Sequence, residues 1–323
     1  MGAEQLTSAA VRGRYAPSPT GDLHMGNLRT ALLAWLFTRS FGASAGQFVL
    51  RVEDLDRPRV RPGATQRMLD DLRWLGLDWD EGPDCGGPYA PYTQSERLDL
   101  YEHYFQHLQE QGLLYPCYCS RAEVAQATLH SDEENPDGPR YAGTCRELSE
   151  KQRQQKAASG RQPAFRFRVA DERIVSFADM LLGPQRQQVQ HTVGDFIVRR
   201  SDGIFSYQFA VVVDDATMQI NQVVRGADLL SSTARQILLY EALGFPLPSF
   251  AHTPLMLDEQ GKRLAKRTQS AGLTPLRNGG QSAAQVVGQL AASCGLVQMG
   301  TTISPIELVQ HYRTQQYDII AQK

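Results

Sequence analysis

The chain has 323 residues, of which 41% are hydrophobic and 21% are charged, and its formal net charge is -2. This is the composition of a globular protein, and the length fits two domains or one large α/β domain with an insertion. Because the chain has no overall basic character, any nucleic-acid partner has to be bound by a local patch rather than by bulk electrostatic attraction.

No segment of the sequence is as long and apolar as a membrane-spanning helix. The first residues, MGAEQLTSAAV, lack the basic and apolar regions of a secretory signal peptide. The five cysteines are odd in number and unevenly spaced, and three of them lie close together in the sequence. This usage favours metal binding over disulfide bonds, and we therefore expect a cytoplasmic protein.

The first third of the chain predicts alternating strands and helices. Residues 12–16 are predicted to form a short strand, and the apolar run over 48–52 predicts a second one. Apolar residues recur at helical spacing over 26–41, 65–75 and 98–112, and this periodicity predicts helices. A strand, a helix and a second strand in this order indicate a βαβ unit with a parallel sheet.

The remaining two thirds of the chain are less regular. Polar and glutamine-rich stretches after residue 116 predict an inserted subdomain. Residues 205–213 form a β-rich apolar run, and a later strand is followed by a helix that we expect Ser231 or Ser232 to cap. We therefore divide the chain into a first half of the main domain over 12–115, an insertion over 116–193, a second half over 194–278 and a short helical tail over 279–323.

The segment RYAPSPTGDLHMGN connects the first predicted strand to the first predicted helix. It is longer than the two to six residues typical of such turns. The N–H groups and the dipole at a helix N-terminus favour a bound phosphate. His24 can donate a hydrogen bond to a phosphoryl oxygen, Gly26 leaves the backbone accessible, and Arg14 ends the strand where doubly wound sheets bind ligands. The segment therefore predicts a nucleotide-binding turn.

PSPTGDLHMGN resembles the HIGH signature of class I aminoacyl-tRNA synthetases, in the form that glutamyl enzymes use. In that family the signature binds ATP, which implies an ATP-binding role for His24, Gly26 and Asn27 and a catalytic role for His24. Asn27 replaces the second histidine, as the glutamyl subgroup generally allows. The resemblance implies an α/β fold with a doubly wound, parallel, Rossmann-type sheet and an inserted, zinc-bearing subdomain that binds the acceptor.

Residues 261–267, GKRLAKR, match a second signature of this family, a KMSKS-like loop that closes on the triphosphate. Positive charge is needed there because pyrophosphate leaves as its bond to the α-phosphate breaks. The resemblance gives Lys266 an ATP-binding and catalytic role, with Arg263 and Ala265 in place of the usual lysine and serine. Without the first signature, a solvated basic loop would be the better interpretation.

The family's amino-acid site is matched as well, and it implies glutamate as the substrate. Arg14 would pair with a substrate carboxylate through a bidentate fork, and Glu53 would bind the ammonium group. Tyr207 would form a hydrogen-bonding wall, and Arg225 would be a second carboxylate partner. Taken singly, Tyr207 could be a buried strand tyrosine, Arg225 a surface arginine and Glu53 a partner of Arg51 or Arg57. The residues that we expect to contact glutamate are Arg14, Tyr15, Ala16, Pro17, Ser18, Glu53, Tyr207 and Arg225.

Three cysteines and a tyrosine in the predicted insertion offer metal ligands. Structural zinc sites have four ligands and are rich in sulfur, and from chemistry alone His130 is a rival for the fourth place. The Tyr-x3-Cys ending resembles that of a shorter paralogue group of the glutamyl-tRNA synthetases. This resemblance implies one structural Zn²⁺ ion, whereas three ordinary reduced cysteines are the alternative. The implied ligands are Cys117, Cys119, Tyr141 and Cys145.

The length of the chain also favours the shorter paralogues. A full glutamyl-tRNA synthetase has a helical anticodon-binding domain after its KMSKS loop, and the residues after Arg267 are too few to form it. The paralogues use ATP and Mg²⁺ to convert L-glutamate into glutamyl-adenylate without tRNA, and they transfer it to queuosine in the anticodon of tRNA(Asp). The resemblance implies this ligase reaction, an anticodon stem-loop as partner and a monomer. A shortened enzyme charging tRNA(Glu), a non-catalytic RNA-binding paralogue and a small-molecule nucleotidyltransferase are the alternatives.

Overall fold

The computed structural model of the chain describes residues 10–40, 46–128, 139–255 and 272–315. Within these ranges, helices pack around a larger and a smaller β-sheet. The strands are β1 (Arg12–Tyr15), β2 (Gln47–Leu50), β3 (Leu114–Cys117), β4 (Ala164–Phe167), β5 (Ile174–Asp179), β6 (Gly183–Gln188), β7 (Phe196–Arg199), β8 (Gln222–Gly226) and β9 (Ser249–Thr253). The helices are α1 (Met25–Ser40), α2 (Ala64–Trp74), α3 (Leu98–Glu110), α4 (Arg121–Thr128), α5 (Glu150–Ala158), α6 (Val189–Thr192), α7 (Tyr207–Thr217), α8 (Leu230–Leu243), α9 (Leu273–Asn278), α10 (Ala283–Ala292) and α11 (Pro305–Gln315).

The larger sheet has the strand order β2-β1-β8-β9-β5-β6. Its first five strands pair in parallel, and β6 is an antiparallel edge strand. The predicted α/β fold with a parallel Rossmann-type sheet is confirmed. Because β2 lies on one side of β1 and β8 on the other, the order in which strands are added to the sheet reverses at β1. Ligands of such sheets bind beyond the carboxyl ends of the strands at this point, which is where Arg14 lies.

The smaller sheet has the antiparallel order β3-β4-β7 and lies around the predicted insertion. Two strands from within residues 116–193, β5 and β6, form a hairpin that joins the larger sheet instead. Strand β7 follows residue 193 and belongs to the smaller sheet. The larger sheet therefore holds one hairpin from the predicted insertion, which brings Asp179 next to strand β9.

The prediction of a β-rich run over residues 205–213 is wrong, because helix α7 begins at Tyr207 and continues to Thr217. Residues 209–215 are buried without interruption, since the helix packs against α3 and α8 inside the core. A helix that is buried on all sides has the same continuous apolar pattern as a buried strand. The β-branched residues of this run are accommodated by tertiary packing, which overrides their preference for strands.

The predicted serine cap of the next helix is also wrong. Helix α8 begins at Leu230, and its N-cap is Leu229, which makes no side-chain capping hydrogen bond. A short 3₁₀ turn, Ala227–Leu229, leads directly into the helix. Ser232 therefore lies inside the first turn, where its hydroxyl accepts hydrogen bonds from Gln208 and Arg235.

The predicted tail contains two described helices, α10 and α11, and both pack against α1. Val286 and Leu290 of α10 and Leu308 of α11 belong to the same hydrophobic core as α1 and strand β1. No helix in the described ranges is long and apolar enough to cross a membrane. The tail is therefore part of the main domain's core.

Candidate functional site

The segment after β1 lies beside the segment after β2. The backbone N–H of Arg51 donates to the Tyr15 carbonyl over 3.0 Å, and that of Glu53 donates to the Pro17 carbonyl over the same distance. Arg14 and Tyr15 are buried, whereas Ser18 is exposed. This pairing extends the parallel register of the sheet and brings Glu53 to the edge at which β1 ends, one residue after Arg14.

A group of buried ion pairs lies near this edge of the sheet. The fully buried Arg51 donates from Nη1 to Asp215 over 2.7 Å and from Nη2 to Glu53 over 3.0 Å. Arg14 Nε lies 3.2 Å from the same Asp215. Asp214, which is fully buried, accepts from Arg97 over 2.7 Å. We call this group, with one further arginine on β8, the charge cluster: Arg14, Arg51, Glu53, Arg97, Asp214, Asp215 and Arg225.

Burial and charge act in opposite directions on the carboxylates of this cluster. Burial raises the pKa of Glu53 above its usual value, although the charges of Arg51 and Arg14 oppose the shift. Burial also acts to raise the pKa of Asp215, but the guanidinium groups of Arg14 and Arg51 outweigh it, and the pKa is lowered. Asp215 therefore stays ionised as the negative centre between two arginines.

Tyr207 lies at the first position of α7 and faces this cluster. Its side chain is 37% exposed, yet enough protein surrounds it that desolvation is the largest cause raising the pKa of the phenol. Among the neighbouring charges, Arg225 acts most strongly on Tyr207 and lowers the pKa, whereas Glu53 raises it. Arg14, Glu53 and Arg225 are all close enough to Tyr207 to act on its pKa, so the structure brings the four predicted residues together. We call the region between these four side chains the cleft.

Arg225 is incompletely satisfied by the described residues around it. Its Nε donates to His252 Nε2 over 3.1 Å, and its Nη2 donates to Thr233 Oγ1 over 2.8 Å. The third nitrogen, Nη1, is buried and has no hydrogen-bond partner among the described residues. Burial lowers the pKa of this guanidinium, and the positive charge of Arg14 acts in the same direction. A buried cationic donor without a partner is costly, and an anionic ligand would satisfy it.

The predicted nucleotide turn lies at the N-terminus of α1. His24 Nδ1 accepts from the backbone N–H of Asn27 over 3.3 Å, and Asn27 Oδ1 accepts from the backbone N–H of His24 over 3.4 Å. A Cβ atom on Gly26 would lie 3.1 Å from the imidazole, so a side chain there would press on the ring. Tyr15 Oη donates to the Asn27 carbonyl over 3.3 Å. Because Nδ1 is an acceptor, a neutral His24 carries its proton on Nε2.

The three clustered cysteines meet Tyr141 beside the smaller sheet. Their sulfurs lie within 4.8 Å of one another, and no other three His, Cys, Asp or Glu side chains among the described residues come together in this way. Cys119 and Cys145 have sulfurs 3.6 Å apart, and Cys117 Sγ lies 3.4 Å from Tyr141 Oη. In a tetrahedron with Zn–S bonds of about 2.3 Å the sulfurs would be about 3.8 Å apart, and a phenol oxygen about 3.5 Å from each. The three thiols and the phenol are therefore close enough to bind one metal ion together.

Hydrogen bonding favours a thiolate in this group. The hydrogen bond from Cys145, with further contributions from Tyr141 and Arg166, lowers the pKa of Cys117 to about 4. Arg166 Nε donates to Cys117 Sγ over 3.3 Å, and its guanidinium stacks on the Tyr141 ring at 3.7 Å. An arginine in this position orients two of the four side chains.

Two sequence predictions cannot be placed, because Lys266 and the rival ligand His130 lie outside the described residues. The alternative that Arg225 is a surface arginine is wrong, because this residue is buried. The alternative that Glu53 pairs with a neighbouring arginine is confirmed, since it forms an ion pair with Arg51. Sequence reasoning missed the buried partners of the site, although the acidic pair after the 205–213 run was a visible signal. These missed residues are Arg51, Asp179, Asp214, Asp215 and His252.

A parallel Rossmann-type sheet, a His-x-Gly turn opening its first helix and a cleft of buried arginines define the catalytic domain of a class I synthetase. Residues 10–304 match the family model described as tRNA synthetases class I (E and Q), catalytic domain, and the chain belongs to this family.

Relatives of nearly equal length are similar along most of the chain. The glutamyl-Q tRNA(Asp) synthetase of Symbiobacterium thermophilum is 52% identical over 297 residues, covering 92% of this chain and 90% of the relative. The protein of the same name from Nitratidesulfovibrio vulgaris is 49% identical, covering 89% and 87%. A crystal structure of a glutamate tRNA ligase from Elizabethkingia meningosepticum in complex with its amino acid matches with a TM-score of 0.80 at 31% identity, covering 94% of this chain and 65% of that one.

Proposed function

We propose that this protein activates L-glutamate with ATP in the absence of tRNA and transfers the glutamyl group to the queuosine base of tRNA(Asp). Its similarity to two relatives named glutamyl-Q tRNA(Asp) synthetase, over about nine tenths of each, supports this reaction. The observation that carries the proposal within the structure is Nη1 of Arg225, which is buried at the wall of the cleft and has no hydrogen-bond partner within the described part of the chain. A carboxylate of glutamate is the ligand that would satisfy it.

The charge balance of the cluster supports an anionic amino acid. With every group ionised, four guanidinium groups face three carboxylates in the charge cluster, which leaves one net positive charge. Glutamate at neutral pH carries one net negative charge and neutralises the cluster on binding. Arg14 and Arg225 would contact its carboxylates, and Glu53 would contact its ammonium group. Tyr207 would form a hydrogen-bonding wall beside it. Tyr15, Ala16, Pro17 and Ser18 would form the adjoining backbone wall.

ATP would bind beside this cleft, at the N-terminus of α1. The proton on His24 Nε2 and the free helix N–H groups are suited to phosphoryl oxygens, and Gly26 and Asn27 shape the turn. Lys266 would neutralise the leaving pyrophosphate, together with Mg²⁺ bound by the nucleotide. The glutamate α-carboxylate would attack the α-phosphate, so the residues act by positioning and charge rather than as nucleophiles.

We further propose that Cys117, Cys119, Tyr141 and Cys145 hold one structural Zn²⁺ ion. Bound zinc would connect the end of β3 to the loop that precedes α5, and it would stiffen the part of the protein that we expect to meet the RNA. The distances among the four side chains support this ligand set, with Tyr141 as the fourth ligand.

The proposed RNA partner is the anticodon stem-loop of tRNA(Asp), and we propose a monomer that acts in the cytoplasm, where tRNA is used. A shortened enzyme charging tRNA(Glu) is the second candidate, since the fold also matches a glutamate tRNA ligase. That ligase is longer, and this chain covers 65% of it.

Glutamate-dependent exchange between pyrophosphate and ATP, measured without tRNA, tests the activation step. Robust exchange with glutamate, and none with aspartate or glutamine, is the expected result. Exchange that appears only when tRNA(Glu) is added would favour the shortened charging enzyme. No exchange under either condition would favour a non-catalytic paralogue.

A labelling experiment then tests the acceptor. Radioactive glutamate is offered with purified tRNA(Asp) that carries queuosine, with tRNA(Asp) that carries unmodified guanosine, and with tRNA(Glu). Transfer to the first tRNA alone is expected. Periodate treatment of tRNA(Asp) that is protected at its 3′ ribose would abolish the transfer if the cis-diol of the base is the acceptor.

A further inference from the structure

Three buried side chains on adjacent strands form a chain of hydrogen bonds behind the cleft. Asp179 ends β5, His252 lies on β9 and Arg225 lies on β8, where it is the direct register partner of His252. Asp179 Oδ2 lies 2.6 Å from His252 Nδ1, and His252 Nε2 lies 3.1 Å from Arg225 Nε. All three residues are less than 5% exposed.

The contacts of His252 Nε2 favour one protonation pattern of the imidazole. Two groups lie 3.1 Å from this nitrogen: Arg225 Nε, which can only donate, and the Thr233 hydroxyl, which can donate or accept. The hydrogen bond with Arg225 requires Nε2 to be an acceptor without a proton. The ring proton is then on Nδ1, where it donates to Asp179. Burial lowers the pKa of His252, with Asp179 opposing the shift, which agrees with a neutral ring.

The same contacts determine where Arg225 points. Its Nε is held by His252 and its Nη2 by Thr233, so the planar guanidinium has one nitrogen left, the unpartnered Nη1. Rotation of the guanidinium to another position would break both bonds. The direction of Nη1 therefore depends on His252 being an acceptor at Nε2.

We propose that Asp179 and His252 are positioning residues for glutamate recognition: Asp179 holds His252 in its Nδ1–H tautomer, and His252 in turn aims Nη1 of Arg225 at a substrate carboxylate. This inference rests on the proposed function, because it assumes that the cleft binds glutamate. It also couples the β5–β6 hairpin, which lies in the predicted insertion, to the amino-acid site.

The substitution Asp179→Asn tests most directly whether Asp179 determines the tautomer of His252. Asp179 Oδ1 accepts from the backbone N–H groups of Leu181, Leu182 and His252 at 3.0, 2.9 and 3.2 Å. These donors retain the asparagine oxygen in the Oδ1 position, so the amide NH₂ faces His252 Nδ1. The ring then has to accept at Nδ1 and carry its proton on Nε2, where it faces the N–H of Arg225 and can donate only to the Thr233 hydroxyl. The hydrogen bond that holds Arg225 Nε is lost in either case.

Steady-state exchange kinetics separate positioning from general damage. Asp179→Asn is expected to raise the KM for glutamate tenfold or more and to change the KM for ATP less than twofold. The matched control is Asp195→Asn, which removes another buried carboxylate that accepts from a backbone N–H and an arginine, near the smaller sheet. It is expected to lower the melting temperature without changing the KM for glutamate. Equal glutamate effects in both variants would overturn the proposal.

A double-mutant cycle tests the order of the chain. His252→Gln places an amide oxygen that accepts from Arg225 without needing Asp179, so the KM for glutamate of this variant is the reference for the second substitution. Adding Asp179→Asn to this variant should then change the KM little further. If Asp179→Asn costs the same tenfold in the His252→Gln background, Asp179 acts by anchoring the hairpin and the proposal is wrong.

A measurement on the wild-type protein does not depend on activity. The ¹⁵N shifts of histidine-labelled protein, with His252 assigned from His252→Gln, are expected to report a protonated Nδ1 and an unprotonated Nε2. The opposite tautomer would overturn the inference. A wild-type protein with the expected tautomer but no glutamate-dependent exchange would instead refute the proposed function.

Discussion

Replacing Asp214 with asparagine should expose how strongly the fold depends on the charge cluster. Asp214 is fully buried and accepts from Arg97 Nε over 2.7 Å, from Gln94 Nε2 over 2.8 Å and from the Tyr101 hydroxyl over 2.9 Å. Arg51 Nε adds an ion pair at 3.4 Å. Every one of these contacts presents a donor to the carboxylate.

Asparagine keeps one acceptor oxygen and replaces the other with an NH₂ group that faces donors. The substitution also leaves Arg51 and Arg97 with less negative charge nearby in a region without solvent. Breaking a buried ion pair by neutralising one partner typically costs about 3–5 kcal/mol. Since Asp215 and Glu53 still compensate Arg51, we expect the free energy of unfolding of Asp214→Asn to fall by about 3 kcal/mol.

Urea denaturation followed by tryptophan fluorescence measures this loss. The control is Glu241→Gln, which breaks the Arg173–Glu241 pair; its N–O distance is also 2.7 Å, but its side chains are 43% and 42% exposed. Solvent screens such a pair, so the control should cost less than about 1 kcal/mol. Equal losses in the two variants would refute the reasoning that burial decides the contribution of these ion pairs.

Three further outcomes are expected. Lys266→Ala should slow glutamyl-adenylate formation tenfold or more, because one charge contact to the leaving pyrophosphate is lost; an unchanged exchange rate would remove Lys266 from the mechanism. Cys119→Ser should lower both the zinc content measured by atomic absorption and the melting temperature, whereas Cys85→Ser, at an exposed thiol, should change neither; full zinc occupancy in Cys119→Ser would indicate a different ligand set. Leu308→Ala, at a fully buried position of α11, should cost about 2–5 kcal/mol in urea, and Ile306→Ala, which is 66% exposed on the same helix, less than about 0.5 kcal/mol. Equal losses at the two positions would mean that α11 does not pack on the core.

Local patterns in the sequence predicted elements well where periodicity was unambiguous. A helix expected over 26–41 is found at Met25–Ser40, and one expected over 98–112 is found at Leu98–Glu110. Helix α7 was mistaken for a strand because its position between two helices buries every face of the apolar run. That burial depends on elements distant in sequence, which periodicity does not contain.

The same limit applies to the candidate site. The residues that match family signatures could be named from the sequence, since Arg14, Glu53, Tyr207 and Arg225 are carried by quotable motifs. Their buried partners could not, because the pairing of Arg14 with Asp215 joins residues 201 positions apart. Nothing in the spacing of His252 and Asp179, 73 positions apart, indicates that they share a hydrogen bond.

Helix α1 packs against the helices of the tail and begins at the predicted nucleotide turn. Its N-terminus carries the His24–Asn27 pair of hydrogen bonds, and its body is buried against the sheet, α10 and α11. At its other end, Arg313 of α11 donates to the carbonyls of Arg39 and Ser40 over 2.8 and 3.2 Å, and a cation there also complements the helix dipole. Because phosphate binding at a helix N-terminus depends on where its N–H groups point, the tail would contribute to the proposed nucleotide site by fixing the axis of α1, without a residue of the tail touching the ligand.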